Sequence, residues 1–246
     1  MRQIILAINA LLKFKAYTLI NVLGLACSLA CVLTVARYIH QENTVNQCFP
    51  EYKRICLIKT STSSGENFLG GYRSGLEKNP DVEQFTVIYQ ISDMPALFGE
   101  QEIAANAFSV DSTFFKIFPY RVIAGSGRIV RPRDVVITRS FWKKKLGGKN
   151  AIGATFKNTK GNKFTIIGVV DDPDTKTSWM PDIFMSDELD EFLFFDPIYA
   201  MLMAPDTDIA LLNKKYSKEH PRSKWSTYET VRYQYLPLKD LYYDKD

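Results

Sequence analysis

Residues 16–36, AYTLINVLGLACSLACVLTVA, form an apolar run of 21 residues with no charge between Lys15 and Arg37. As a helix rising about 1.5 Å per residue, such a run reaches roughly 30 Å, the thickness of a bilayer's hydrocarbon core. Tyr17 and Tyr38 stand at its ends, where amphipathic rings favour the headgroup level. A charge-free run of this length is rare in the buried helices of soluble proteins. A cleaved signal peptide has a shorter apolar region, about 7–15 residues, after a short basic start. The lipoprotein alternative also fits poorly. Cys27 has Gly24, and Cys31 has Ser28, where a lipid-acceptor motif places Leu. A transmembrane helix over 16–38 is therefore expected. Within it, Gly24 with Ser28 and Ala26 with Ala30 form small-xxx-small pairs that let a second helix approach closely in lipid. Asn21 joins them as a candidate helix-packing residue.

The flanks set an expected orientation. Residues 1–15 place Ile4, Ile5, Ile8, Leu11 and Leu12 on one helical face and Arg2, Asn9 and Lys13 on the other. This predicts a basic amphipathic helix lying at the membrane surface. Arg2, Lys13, Lys15 and the terminal amine precede the span, and positive residues favour the cytoplasmic side. The N-terminus is then cytoplasmic and residues 39–246 lie outside the cytoplasm.

Beyond the span no later run reaches membrane length, and a hydrophobic content of 46% is ordinary for a globular domain. Strands are expected over 54–60, 82–91, 101–109, 120–124, 134–138, 152–157, 163–170, 183–186 and 231–238. Short helices are expected over 71–79, 111–118, 139–146 and 206–218. Residues 188–204 are aromatic and fit neither period. Strands mixed with short helices, without steady βαβ alternation, indicate an α+β domain, here with two subdomains expected.

Few residues form chemical constellations. Gly125-Ser126-Gly127 and Gly147-Gly148-Lys149 lack the spacing and the Lys-Ser/Thr pair of a phosphate loop, and read as turns. His40 and His220 are the only histidines and lie far apart. Asp171, Asp172 and Asp174 lack the ordered acidic positions and glycine of a calcium loop. Lys143, Lys144, Lys145 and Lys149 beside Phe141 and Trp142 read as a solvated helix face anchored by aromatics. With a net charge of only +4, nucleic acid is not an expected partner. No catalytic, cofactor-binding or metal-binding residue is expected. Cys48 and Cys56 are eight positions apart and are candidates for a short disulfide loop. The alternative is a free Cys48 and a Cys56 buried in the first strand.

Several passages in order resemble one family. They are FKAYTLINVLGLACSLAC, FSVDSTFFKIFPYRVIAGSG, DVVITRSFWKKKLGGKNAIGATFK, FTIIGVVDDP and YLPLKDLYY. Together they resemble the MacB-like (FtsX-like) permeases of bacterial ABC transporters, over nearly the whole chain. The resemblance implies a periplasmic α+β core domain on a first span in the inner membrane. It implies a separate cytoplasmic ATPase subunit, a second permease copy or homologue as dimer partner, and in some systems a periplasmic adaptor protein. It implies export or mechanotransmission, with no ATP hydrolysis in this chain. Family permeases carry three further spans after the core domain, so this sequence is expected to be the N-terminal portion of a longer permease. The rival class is a single-span periplasmic binding, adaptor or sensor module.

Overall fold

The computed structural model describes residues 13, 15–63, 65, 67–70, 79–148, 150–186, 197–216, 220–221 and 230–244. They divide into two units, Met1–Thr44 and Val45–Asp246. The amphipathic helix expected over 1–15 falls outside the described residues apart from Lys13 and Lys15. The helix expected over 71–79 falls outside them apart from Asn79.

The first unit is helix α1, Lys15–Asn43, with no buried residue. It passes the expected boundary at Tyr38 because Arg37, Gln41 and Glu42 are good helix formers and nothing breaks the ladder before Asn43. At its end the Thr44 amide donates to the His40 carbonyl at 3.1 Å and the Thr44 hydroxyl at 2.9 Å. A terminal carbonyl is thereby satisfied.

Among the described residues the second unit is built on one sheet of twelve strands. In chain order these are β1 (Ile55–Thr62), β2 (Asn67–Leu69), β3 (Val82–Phe98), β4 (Gln101–Val110), β5 (Val122–Gly125) and β6 (Asp134–Thr138). They continue as β7 (Thr155–Lys157), β8 (Lys163–Val170), β9 (Ile183–Ser186), β10 (Ile198–Met203), β11 (His220–Pro221) and β12 (Thr230–Pro237). The spatial order is β11-β12-β1-β10-β3-β4-β9-β6-β8-β5, with β2 on β1 and β7 on β3 and β8. Short helices α2 (Phe114–Ile117), α3 (Arg139–Lys144) and α4 (Ile209–Tyr216) lie among them.

Alternation along the strands divides the core between the two sheet faces. In β1, Ile55 and Leu57 join one cluster while Cys56 and Ile58 join another. In β9, Phe184 joins the first cluster while Ile183 and Met185 join a third. A strand covered on both faces needs an unbroken apolar run, and this is why ICLI and IFM carry no polar position. The first cluster is sealed by Phe114, Ile117 and Phe118 at α2 together with Phe49 and Trp179. Leu212 of α4 covers the second, and Phe141 of α3 and Phe156 of β7 cover the third.

Strand β3 is the common element, pairing with β10 through its first half and with β4 through its second. It continues beyond the expected end at Ile91 through a bulge between Ile91 and Met94, where Asp93 takes φ 50°. The Asp93 amide donates to the Asn106 side chain at 3.3 Å across the strand pair. Three strands missed by pattern are β10, in the aromatic segment 188–204, β2 and the two-residue β11. Residues 188–196 of that segment lie outside the described residues.

Glycine matters most where β5 meets β8. A Cβ at Gly168 would lie 1.7 Å from the Ser126 carbonyl oxygen, and one at Gly125 would lie 2.2 Å from that of Ile167. Gly125 also has φ +69°. Gly125-Ser126-Gly127 is therefore a close backbone crossing, closed by a 2.9 Å bond from the Ser126 amide to the Ile167 carbonyl.

Candidate functional site

In α1, Leu25 is 72% exposed and Ile20 68%, with no protein covering either. The helix holds an 18-residue window of mean hydropathy 2.3, long and apolar enough to cross a membrane. Two of its hydroxyls are satisfied internally. The Ser28 hydroxyl donates to the Gly24 carbonyl at 2.9 Å and the Thr34 hydroxyl to the Ala30 carbonyl at 2.7 Å. Such back-bonding removes unpaired hydroxyls from the helix surface, as a hydrocarbon solvent demands. A Cβ placed on Gly24 meets nothing within 4 Å, so that position is an open notch. At 3.6 residues per turn Asn21, Gly24 and Ser28 share one face, and Ala26 and Ala30 share the opposite one.

The domain begins with a polar cluster that pattern reading did not find. Asn46 is 1% exposed and takes φ 62°. Its amide nitrogen Nδ2 donates to the Ser178 hydroxyl at 2.9 Å and to the Leu238 carbonyl at 3.0 Å. Its Oδ1 accepts from the Ser178 backbone amide at 2.7 Å, and its own backbone amide donates to the Lys176 carbonyl at 2.8 Å. Lys176 in turn hydrogen-bonds the Tyr242 hydroxyl and lies 4.2 Å from the centre of that ring. Beside this cluster Phe49 packs edge-on against Phe118, and Trp179 against Phe108 and Phe118. The legible signal was an Asn soon after a long apolar helix, a residue type that tolerates left-handed backbone. Its partners, 132 and 192 positions away, were not.

The acidic turn after β8 is a structural tie. Asp171 accepts from Arg139 at 2.9 Å and from Arg121, while the Asp171 amide donates to the Arg121 carbonyl at 2.8 Å. The hydrogen bond from Arg121 holds the Asp171 carboxyl below the usual carboxylate range, with Arg139 adding to it. Asp172 accepts from the Ser140 hydroxyl at 2.9 Å at the start of α3. Among the described residues no group of three His, Cys, Asp or Glu side chains could hold a metal. The described lysines of the basic run extend from α3, where Phe141 is buried and Lys144 and Lys145 are exposed. Lys149 lies outside the described residues.

Cys48 and Cys56 are free thiols. Cys48 packs at the margin of the first core cluster, while Cys56 belongs to the cluster on the opposite sheet face. Burial raises the Cys48 thiol, and it pushes that of Cys56 to about 12. A cleft of about 220 Å³ at the β3 bulge, lined by Asp93, Met94, Lys160 and neighbours, falls short of the roughly 300–1,000 Å³ of ordinary ligand pockets.

The chain thus joins a helix long and apolar enough to cross a membrane to an α+β domain whose buried polar groups tie distant segments together. The chain matches the MacB-like periplasmic core domain over residues 18–215, and it belongs to that family. No curated protein matches it in sequence. The fold resembles a domain of a permease protein from Porphyromonas gingivalis, with TM-score 0.60 and 18% identity over 77% of this chain and 91% of that one. It also resembles the periplasmic region of MacB from Actinobacillus actinomycetemcomitans, with TM-score 0.54 and 15% identity over 70% and 83%.

Proposed function

We propose that this chain contributes a transmembrane helix and a periplasmic domain to a permease subunit of a bacterial ABC transporter in the inner membrane. A separate cytoplasmic ATPase supplies the energy, and the chain passes the resulting movement to its periplasmic domain for export or mechanotransmission. The family match carries this reading, because it begins at residue 18, inside α1, and runs on through the domain to residue 215. Helix and domain thus belong to one family unit. Arg2, Lys13 and Lys15 favour a cytoplasmic N-terminus. The small faces at Gly24–Ser28 and Ala26–Ala30 suit packing against further spans, including those of a second permease copy.

The test follows ATP dependence in membranes. Amide exchange of residues 45–246 is measured with a cognate ABC ATPase, and again with its Walker-deficient variant. An ATP-dependent change in the domain, abolished by the variant, is the expected result. Identical exchange with both would overturn the reading in favour of a single-span adaptor or sensor module.

A further inference from the structure

We propose that Asn46 is a positioning residue that joins three segments into one unit which opens and closes together. These are the first residues of the domain, the 176–178 loop and the 238–242 turn. The inference rests on the coupling reading above, and it names where movement enters the domain.

A flexible stretch after α1 would absorb displacement before it reached the sheet. The chain instead goes directly into buried structure. Val45 is 2% exposed and Asn46 1%. Three side-chain bonds and one backbone bond leave Asn46, and they reach only two other segments. One is the loop after β8, whose earlier residues Asp171 and Asp172 are tied to Arg139 and Ser140 at the start of α3. The other is the turn after β12, whose Asp244 pairs with Lys59 of β1 at 2.8 Å. Displacement at residue 46 therefore reaches both ends of the sheet order, β8 on one side and β1 and β12 on the other. Lys176 and Tyr242 close the triangle by linking the two segments directly.

A buried side chain with three good bonds could serve only the fold, so the variants must separate the two roles. Asn46→Gly keeps the left-handed backbone, which glycine adopts freely, and removes every side-chain bond. Ser178→Ala removes a single hydroxyl acceptor and leaves the Leu238 bond intact. Backbone amide exchange is followed by mass spectrometry on the full chain in lipid nanodiscs, with no ATPase present. In the wild-type chain, segments 45–49, 176–179 and 238–242 are expected to open with one common free energy. Asn46→Gly is expected to speed exchange in all three by about tenfold or more, and by the same factor, while β6, β8 and β9 are unchanged. Ser178→Ala is expected to shift all three together by a smaller factor. A response confined to one segment would overturn the proposal. So would an equal acceleration of the sheet strands, which would make Asn46 a residue of the global fold alone. Because no ATPase is present, failure here leaves the coupling reading standing, whereas loss of ATP dependence in the earlier experiment removes the role in movement and leaves the shared opening of the three segments.

Discussion

Helix α1 and the β1–β10–β3 strands are both rich in Leu, Ile and Val, yet they treat these residues in opposite ways. Leu25 of α1 is 72% exposed, while Leu57 and Ile88 are fully buried. Polar groups follow the same division. Ser28 and Thr34 spend their hydroxyls on carbonyls four residues back in their own helix. Asn46 reaches partners 132 and 192 residues away. A segment that must satisfy itself within hydrocarbon carries only local polar bonds, and its specificity rests on shape. A segment with a protein interior of its own can use buried polar bonds to hold distant chain together.

The largest test of this division compares core truncations. Phe184 is fully buried and meets Phe108, Phe114, Phe115 and Tyr120 at ring separations of 5.0–6.3 Å. Phe184→Ala is expected to destabilise the domain by about 3–5 kcal/mol. Leu25→Ala removes a comparable apolar group from α1, and the domain's stability should not change. Chemical denaturation of the full chain, followed by near-ultraviolet circular dichroism, measures both. Loss of domain stability in Leu25→Ala would show that α1 is part of the domain's core.

Gly24→Leu acts in the other direction. The Cβ position is open and leucine is the better helix former, so α1 itself should not suffer. The bulk fills the notch beside Ser28 and keeps another helix away. Helix association in membranes, measured by energy transfer between labelled copies, should weaken by on the order of 1–2 kcal/mol, with the domain unaffected. Unchanged association would remove the Asn21–Gly24–Ser28 face from the packing surface. Ala26→Leu then tests the opposite face.

The same contrast explains what could be read in advance. The limits of β6, β8 and β9 were legible because DVVIT, KFTIIGVV and IFMS are β-branched or aromatic runs between turn residues. The long apolar helix was legible because no charge interrupts residues 16–36. Strand β10 was not, since IYAMLM, buried on both faces, offers no alternation and no strong strand propensity. The second half of β3 was hidden because Ser92, Asp93 and Pro95 resemble a break, whereas the chain crosses them by a bulge. The Asn46 cluster was hidden because a hydrogen bond between distant segments leaves no periodic trace in either.

A smaller effect belongs to the turn after β8. Asp171 is held below the usual carboxylate range by Arg121 and Arg139. A depressed carboxylate pKa stabilises the fold above the unfolded-state value, near 3.9, and that contribution is lost as pH falls through the folded value. Asp171→Asn is therefore expected to lower the domain's unfolding midpoint slightly at neutral pH. The difference from wild type should vanish in acid, once Asp171 itself is protonated. A difference that persists unchanged into strong acid would assign the effect to packing instead of charge.

The smallest effect distinguishes the two kinds of shelter directly, because each region carries its own pair of cysteines. Cys27 and Cys31 are exposed on α1, and a surrounding bilayer would shield them. Cys56 is 0% exposed within β1, with its thiol pushed up to about 12, while Cys48 is only partly covered. The thiolate is the reactive form, so at neutral pH Cys56 should be inert in the folded domain and Cys48 slow. A charged maleimide added to the chain in nanodiscs should label Cys48 first and leave the other three. Replacing the bilayer with a small detergent should admit reagent to Cys27 and Cys31 while Cys56 stays silent. Denaturant should then release Cys56, at a rate that follows domain unfolding. Intact mass measured without reductant should show Cys48 and Cys56 both as thiols. A mass two hydrogens lower, with the Cys48 and Cys56 peptides found linked after digestion, would establish a Cys48–Cys56 bridge. That bridge would require β1 to turn Cys56 out of the cluster it shares with Tyr199 and Tyr235. Labelling of Cys56 as fast as Cys48 would show that β1 opens on its own, and that the domain's shelter at its first strand is no firmer than the bilayer's.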